Sequence, residues 1–495
     1  MTTATAYSQL AQLFARLHRF SHLGAIAGWD QAAMMPPKGN DARAAAQAEL
    51  GVLMHGLITD SKLPTLLSQA EQEDLSEMAR ANLGEMRREW RMANCLPSAL
   101  VEAKTLASAR CEHAWRSQRA ANDWPGFLQN FREVVRLARE EGRLLGEQNG
   151  LSVYDAQMDK YEPGITSAQV ERIFTEVKSW LPDLIAQVRD QQAKVPVPVP
   201  QGPFSVEKQR ALGLEVMRLL GFDFDAGRLD VSLHPFCGGV PEDVRITTRY
   251  REDDFVQSLM GIVHETGHAR YEQNLPRDWL EQPVGRARSM GIHESQSLSF
   301  EMQLGRSRGF LQLIAPLIQR QFGPDPALSA DNLALLYTRV QPGLIRVDAD
   351  ELCYPAHIIL RFEIERALMN GDIEAEDVPA LWDEKMQSYL GLDTRGNYRD
   401  GCLQDIHWTD SFGYFPSYTL GAMCAAQYFA CLRSSTPDLD RQIAAGNLQP
   451  VFDWLGNHIW RQGSRWSTDE LLRRATGESL NPAHYRAHLE ARYLA

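Results

Sequence analysis

The chain has 495 residues, 44% hydrophobic and 23% charged, which is the balance of a globular protein with a sizeable core and excludes a disordered or fibrous one. Lys and Arg number 51 against 64 Asp and Glu, and the net charge of −13 disfavours nucleic acid, whose phosphates such a field repels. No run reaches the ~18 apolar residues of a membrane span, so no membrane partner is expected.

Residues 1–29 carry Arg16 and Arg19 but no acid, a composition shared by transit peptides and amphipathic helices, and the stretch reads as a helix of the mature fold. It lacks the order of a secretory signal. The seven cysteines are odd in number and never form Cys-x-x-Cys, as expected of reduced thiols in the cytoplasm. Asn40 precedes an Ala-rich helix, and Thr166 with Gln169 forms a capping box ahead of Val170, Ile173 and Val177. Residues 195–203 (VPVPVPQGP) read as a stiff surface loop; the alternative is a boundary between lobes 1–200 and 201–495 of a single domain spanning 1–495. Between 228 and 250 the apolar period changes to two, through Leu229, Val231 and Leu233 and, beyond Gly238-Gly239 and Pro241, Val244 and Ile246, which predicts a small antiparallel hairpin. Asp253-Asp254 starts the next helix. Ser467 with Glu470 forms a second capping box ahead of Leu471 and Leu472, and Asn481 with Pro482 opens the last helix. The fold class is mainly α.

Residues 264–268 read His-Glu-Thr-Gly-His within the stretch marked by Phe255, Leu259 and Val263. Helix positions i and i+4 share a face, so His264 and His268 can offer both imidazoles to one ion with Glu265 beside it, the geometry of a metalloprotease. Two histidines so spaced also occur as structural pairs, and a catalytic site needs a third protein ligand. Glu294, in His293-Glu294-Ser295 at the start of another helical run (Leu298, Met302, Leu304, Leu311), supplies it from a second helix. Glu272, one turn beyond His268, is a rival, but three ligands on one straight helix would string out along its axis. Glu301, two turns beyond Glu294, is the other, and its ordinary reading is a solvated helix face. Two imidazoles and a carboxylate suit one zinc ion per chain, with cobalt as the alternative.

Ordered blocks surround this motif: Trp29-Asp30, Met35-Pro36, His234-Pro235-Phe236, Asp243 to Thr247, His293-Glu294-Ser295, Ile345-Arg346 to Ala349-Asp350, and Gly401 to Trp408. Together they resemble the carboxypeptidase Taq family of zinc metallocarboxypeptidases over about residues 29–421. The resemblance implies a large, saddle-like helical domain with a deep central groove, similar in architecture to neurolysin and angiotensin-converting enzyme. It also implies a homodimer that removes single C-terminal amino acids from peptides.

Glu265 is placed to act as general base on a metal-activated water. His407 and Tyr414, with Tyr418 as the alternative phenol, are candidate donors to the tetrahedral oxyanion. Arg346 and Arg245 are candidates for gripping the substrate's free carboxylate through a guanidinium fork, with Arg399 a weaker third. Asp405 and Asp243 are expected to fix His407 and Arg245, and His234 reads as a substrate-binding groove wall. The competing readings are an oligopeptidase cutting internal bonds and a non-catalytic helical scaffold with a structural metal. Glu265 argues against the scaffold, since a structural site has four protein ligands and needs no base.

Overall fold

The computed structural model describes residues 5–494. It confirms a mainly α fold with one three-stranded sheet among the described residues. From Ala6 the acid-free N-terminal stretch is a helix reaching Ala33, capped by the Thr5 side chain. Its buried Leu10, Phe14 and Leu17 recur at helical spacing and pack on Leu63, Leu67, Leu83 and Met86. Asn40 is the first residue of the helix Asn40–Ile58 rather than its cap; a 3₁₀ turn, Pro37–Gly39, leads in and puts Gly39 at the cap. The Thr166–Gln169 capping box, the Asp254 cap of the helix Phe255–Gln273 and the Asn481 cap with Pro482 in the first turn form as expected. Of the capping box expected at Ser467 only one half forms: Ser467 accepts from the Glu470 N–H, while the Glu470 carboxylate pairs with Arg474 instead of returning to the cap. Residues 195–203 form neither helix nor strand, and the Pro198 carbonyl rests on Asn332 Nδ2 at 2.8 Å.

The sheet departs from expectation. Strands β1 (Gly227–Val231) and β3 (Asp243–Thr248), which hold the two alternating apolar sets, run parallel, with Leu229 opposite Ile246. The antiparallel partner of β3 is β2 (Cys237–Val240), so the order is β1-β3-β2. That strand is half glycine and has no alternation to read. Gly239 has φ +91°, and a Cβ there would lie 2.1 Å from the Asp243 carbonyl oxygen, so the tight turn into β3 excludes any side chain. Leu229, Val244 and Ile246 pack on Ile262 and Ala269, so the sheet braces the back of the helix Phe255–Gln273.

Two larger cores share one wall. The helix Pro416–Ser435 turns Leu420, Met423 and Ala426 toward one and Cys424, Tyr428 and Leu432 toward the other. The helical run expected from Glu294 onward is not continuous: the helix Met290–Leu298 opens into a π turn, Ser299–Gly305, before Arg308–Phe322 resumes α geometry. All seven cysteines are free thiols. No helix of the described residues is long and apolar enough to cross a membrane.

Candidate metal centre and active site

His264 and His268 sit on consecutive turns of the helix Phe255–Gln273, and Glu294 faces them from Met290–Leu298. Two glycines permit the approach. A Cβ on Gly267 would lie 2.5 Å from the Gln296 carbonyl oxygen and 2.6 Å from Ser297 Cα, so the two helices meet backbone to backbone. On the other side, a Cβ on Gly421 would lie 2.8 Å from Glu294 Cβ. Glu294 is thereby pressed toward the histidines, with its Oε2 3.9 Å from His264 Nε2 and 3.5 Å from His268 Nε2. The three donor atoms lie within 4.8 Å of one another. Atoms bound at about 2.0–2.2 Å around a tetrahedral ion stand roughly 3.4 Å apart, so this trio fits one metal ion with little adjustment.

The outer ring nitrogens are taken. His264 Nδ1 meets Glu301 Oε2 at 2.9 Å; a carboxylate only accepts, so Nδ1 carries a proton and Nε2 is the nitrogen turned toward the other donors, where an ion or a second proton can sit. His268 Nδ1 meets His293 Nδ1 at 2.6 Å, and His293 Nε2 meets Glu272 Oε1 at 2.8 Å. With His293 Nε2–H donating to Glu272, its Nδ1 accepts from His268 Nδ1–H, which leaves the His268 Nε2 lone pair toward the other donors. Both rivals of Glu294 thus orient the imidazoles: Glu301 holds His264 directly, and Glu272 holds His268 through His293.

Electrostatics favour a cation here. Burial opposes charge on His264, yet the Glu294 and Glu301 carboxylates outweigh it and raise its pKa to about 10. Burial alone dominates at His268, which falls to about 4 and stays neutral. Glu265 is 7% exposed, and burial pushes its carboxyl up to about 7. Its Oε2 is buried without a hydrogen-bond partner. An orphaned carboxylate oxygen beside three converging donors is what a site built around an ion and a reacting water would leave.

A second polar cluster gathers the later blocks. Buried Asp405 accepts from Arg346 Nε at 2.9 Å and from Arg361 Nε at 2.7 Å, and Arg346 Nη1 donates to Tyr354 Oη at 2.9 Å. Asp405 fixes Arg346 rather than His407, whose Nδ1 is 4.0 Å away. His407 Nε2 instead meets Tyr418 Oη at 3.1 Å, and burial holds its pKa down at about 4. The Tyr414 ring lies 5.7 Å from His407 and 5.2 Å from Tyr418, and burial raises its phenol well above the ordinary value. Asp243 does fix Arg245, through two bonds of 2.9 and 2.7 Å, and the guanidinium stacks 4.3 Å from the Trp29 ring centre. His234 is exposed between β1 and β2, and Arg399 is exposed and paired with Asp400. Arg361 and His293 were not singled out by sequence as working side chains. Arg361 has no signal beyond its helix, whereas His293 adjoins Glu294 and could have been asked what it holds.

The profile of the carboxypeptidase Taq (M32) metallopeptidases matches residues 9–493. Thermostable carboxypeptidase 1 of Thermus thermophilus is 37% identical over 509 residues, covering 100% of this chain and 99% of the relative. Carboxypeptidase 1 of Bacillus subtilis is 33% identical over 501 residues, covering 100% and 99%. Among solved structures, Trypanosoma cruzi metallocarboxypeptidase 1 superposes with a TM-score of 0.98 at 50% identity, covering 100% of both chains.

Proposed function

The chain belongs to the carboxypeptidase Taq (M32) metallopeptidases and is a metal-dependent carboxypeptidase, and from that membership we propose how its own side chains carry out the cleavage. His264, His268 and Glu294 hold one divalent ion, zinc by the preference of this donor set and cobalt as the alternative. The convergence of their three donor atoms beside the orphaned Glu265 oxygen carries this reading. When bound, such an ion supplies Lewis acidity, polarising a carbonyl and lowering the pKa of water. Glu265 takes a proton from the attacking water and passes it to the amide nitrogen. The C–N bond then breaks, leaving a peptide one residue shorter and a free amino acid. Tyr414 and the His407–Tyr418 pair offer neutral donors to the oxyanion.

Arg346 reads the terminal carboxylate. It and Arg361 share the single carboxylate of Asp405, which leaves one guanidinium charge in excess, and the Arg346 bonds to Asp405 and Tyr354 run through Nε and Nη1. Arg245 has both ends of its fork engaged by Asp243 and, with exposed His234, belongs to the wall of the substrate groove. Peptides with a free C-terminus are the substrates, the free thiols suit the cytoplasm, and the homodimer implied by the resemblance completes the reading.

Glu265→Gln tests the division of labour, because it keeps size and shape but accepts no proton. Metal analysis should find one equivalent of zinc still bound, while turnover falls by at least about 10²–10⁴-fold. A fully metallated Gln variant with near wild-type turnover would remove Glu265 as the base.

A further inference from the structure

Arg306 is not engaged by the chemistry above, yet it is largely buried two bonds away from a proposed metal ligand. Its Nη2 donates to Glu301 Oε1 at 2.6 Å and its Nη1 to the Tyr337 carbonyl at 3.2 Å, while the other Glu301 oxygen meets His264 Nδ1. The pairing spans five residues. In an α-helix, residues five apart point about 140° away from each other, so Arg306 could not reach Glu301 across one. The π turn Ser299–Gly305 removes the obstacle: its wide hydrogen bonds, including Arg306 N–H to the Glu301 carbonyl at 3.0 Å, bring the two side chains onto one side.

Gly305 is part of the same device. A Cβ there would lie 2.9 Å from the Phe300 carbonyl oxygen and 3.2 Å from Val263 Cγ1, so a side chain would meet both the wide turn and the helix that bears His264.

We propose that Arg306, presented by this π turn, is a positioning residue for His264: it fixes the Glu301 carboxylate, which in turn fixes the ring and tautomer of the imidazole. The inference rests on His264 being a ligand. One guanidinium holds the carboxylate at Oε1 and is itself anchored to Tyr337, so Oε2 has a single orientation in which to accept from Nδ1–H. Without it Glu301 is free to rotate, and the Nε2 lone pair loses its fixed direction. Losing the support behind a ligand commonly weakens metal binding by about 10–100-fold.

The experiment measures zinc affinity of the full-length chain by competition with a chromophoric chelator. Arg306→Met should raise the dissociation constant about 10–100-fold while the thermal midpoint of the metal-free protein stays close to wild type. Arg306→Lys, which keeps the charge but loses the fork, should fall between the two. Since Arg306 acts through Glu301, the double variant Arg306→Met/Glu301→Gln should bind no more weakly than the poorer single variant. Wild-type affinity in Arg306→Met, or losses that multiply in the double variant, would overturn the proposal. Should Arg306→Met fail to fold, Arg306→Lys and its double variant with Glu301→Gln form the same cycle and separate the same two outcomes. His264→Ala distinguishes the two levels: full zinc affinity in that variant would remove His264 from the ligand set, whereas loss of zinc there with unchanged affinity in the Arg306 variants would defeat only the positioning role.

Discussion

Arg346 and Arg245 carry the same guanidinium into different circumstances. At Arg245 a carboxylate two residues away takes both fork nitrogens, so the charge is neutralised locally. At Arg346 the nearest carboxylate, Asp405, is divided with Arg361, and one positive charge is left over beside the phenol rings of Tyr354 and Tyr418. Excess buried charge is costly without a partner, and in the function proposed above the terminal carboxylate of a peptide is that partner. Replacing Arg346 by Lys keeps a cation near Asp405 but removes the bidentate fork. We expect Arg346→Lys to lose much of the enzyme's preference for free-acid over amidated peptides in kcat/KM, which in wild type should be about 30-fold or more if the contact is worth 2–5 kcal/mol. Zinc content should not change. An undiminished preference in this variant would move the carboxylate to another residue.

At the scale of elements, the centre depends on how closely two helices approach. Gly267 is the residue of the His-Glu-Thr-Gly-His motif that lets the backbone of Gln296 and Ser297 come into contact. Gly267→Ala should force Met290–Leu298 outward, cost about 1–3 kcal/mol of stability by overpacking and weaken zinc retention by displacing Glu294. Denaturant unfolding and chelator competition on the same preparation check both halves; a variant with unchanged affinity would mean that Glu294 tolerates the shift. This approach also marks how far the sequence could be read. The two histidines are legible because their relation is local, one helical turn on one face. Glu294 is legible because the geometry of three ligands requires a second helix and its motif lies on the next one. The parallel pairing of β1 with β3 is hidden because the intervening strand is glycine-rich, and the π turn because its apolar positions match an ordinary helix. Arg361 acquires its role only when the helix Tyr354–Asn370 and Asp405 meet across a long separation. The carboxylates at 272 and 301 have ordinary helix-face spacing, and only packing turns them toward the imidazoles.

For the whole molecule, stability should carry the mark of one buried acid. Glu365 is fully buried in the larger core, where its Oε2 accepts from Tyr154 Oη at 2.8 Å and from the Gly413 N–H at 2.9 Å, while Oε1 has no partner. Burial pushes its carboxyl up to about 8 against an ordinary 4.5. Between those values the folded state holds a proton that the unfolded chain releases, so this contribution is complete below pH 4.5, declines as pH rises and is lost above about 8. Glu365→Gln removes the titration. The variant should therefore gain on wild type by up to a few kcal/mol between pH 5 and 8.5, read from denaturant midpoints, whereas parallel curves would mean that Glu365 stays unperturbed. Activity is a second property of the whole chain, because the proposed metal trio, base and carboxylate-binding cluster come from segments spread over residues 264–418. The most direct measurement is mass spectrometry of a peptide supplied as the free acid and as the C-terminal amide, with the protein zinc-loaded, chelator-stripped and zinc-restored. We expect a ladder of single-residue losses from the free acid, little from the amide, none after stripping and full recovery with zinc; internal fragments from both peptides, or a ladder that survives stripping, would contradict a metal-dependent cleavage guided by the terminal carboxylate.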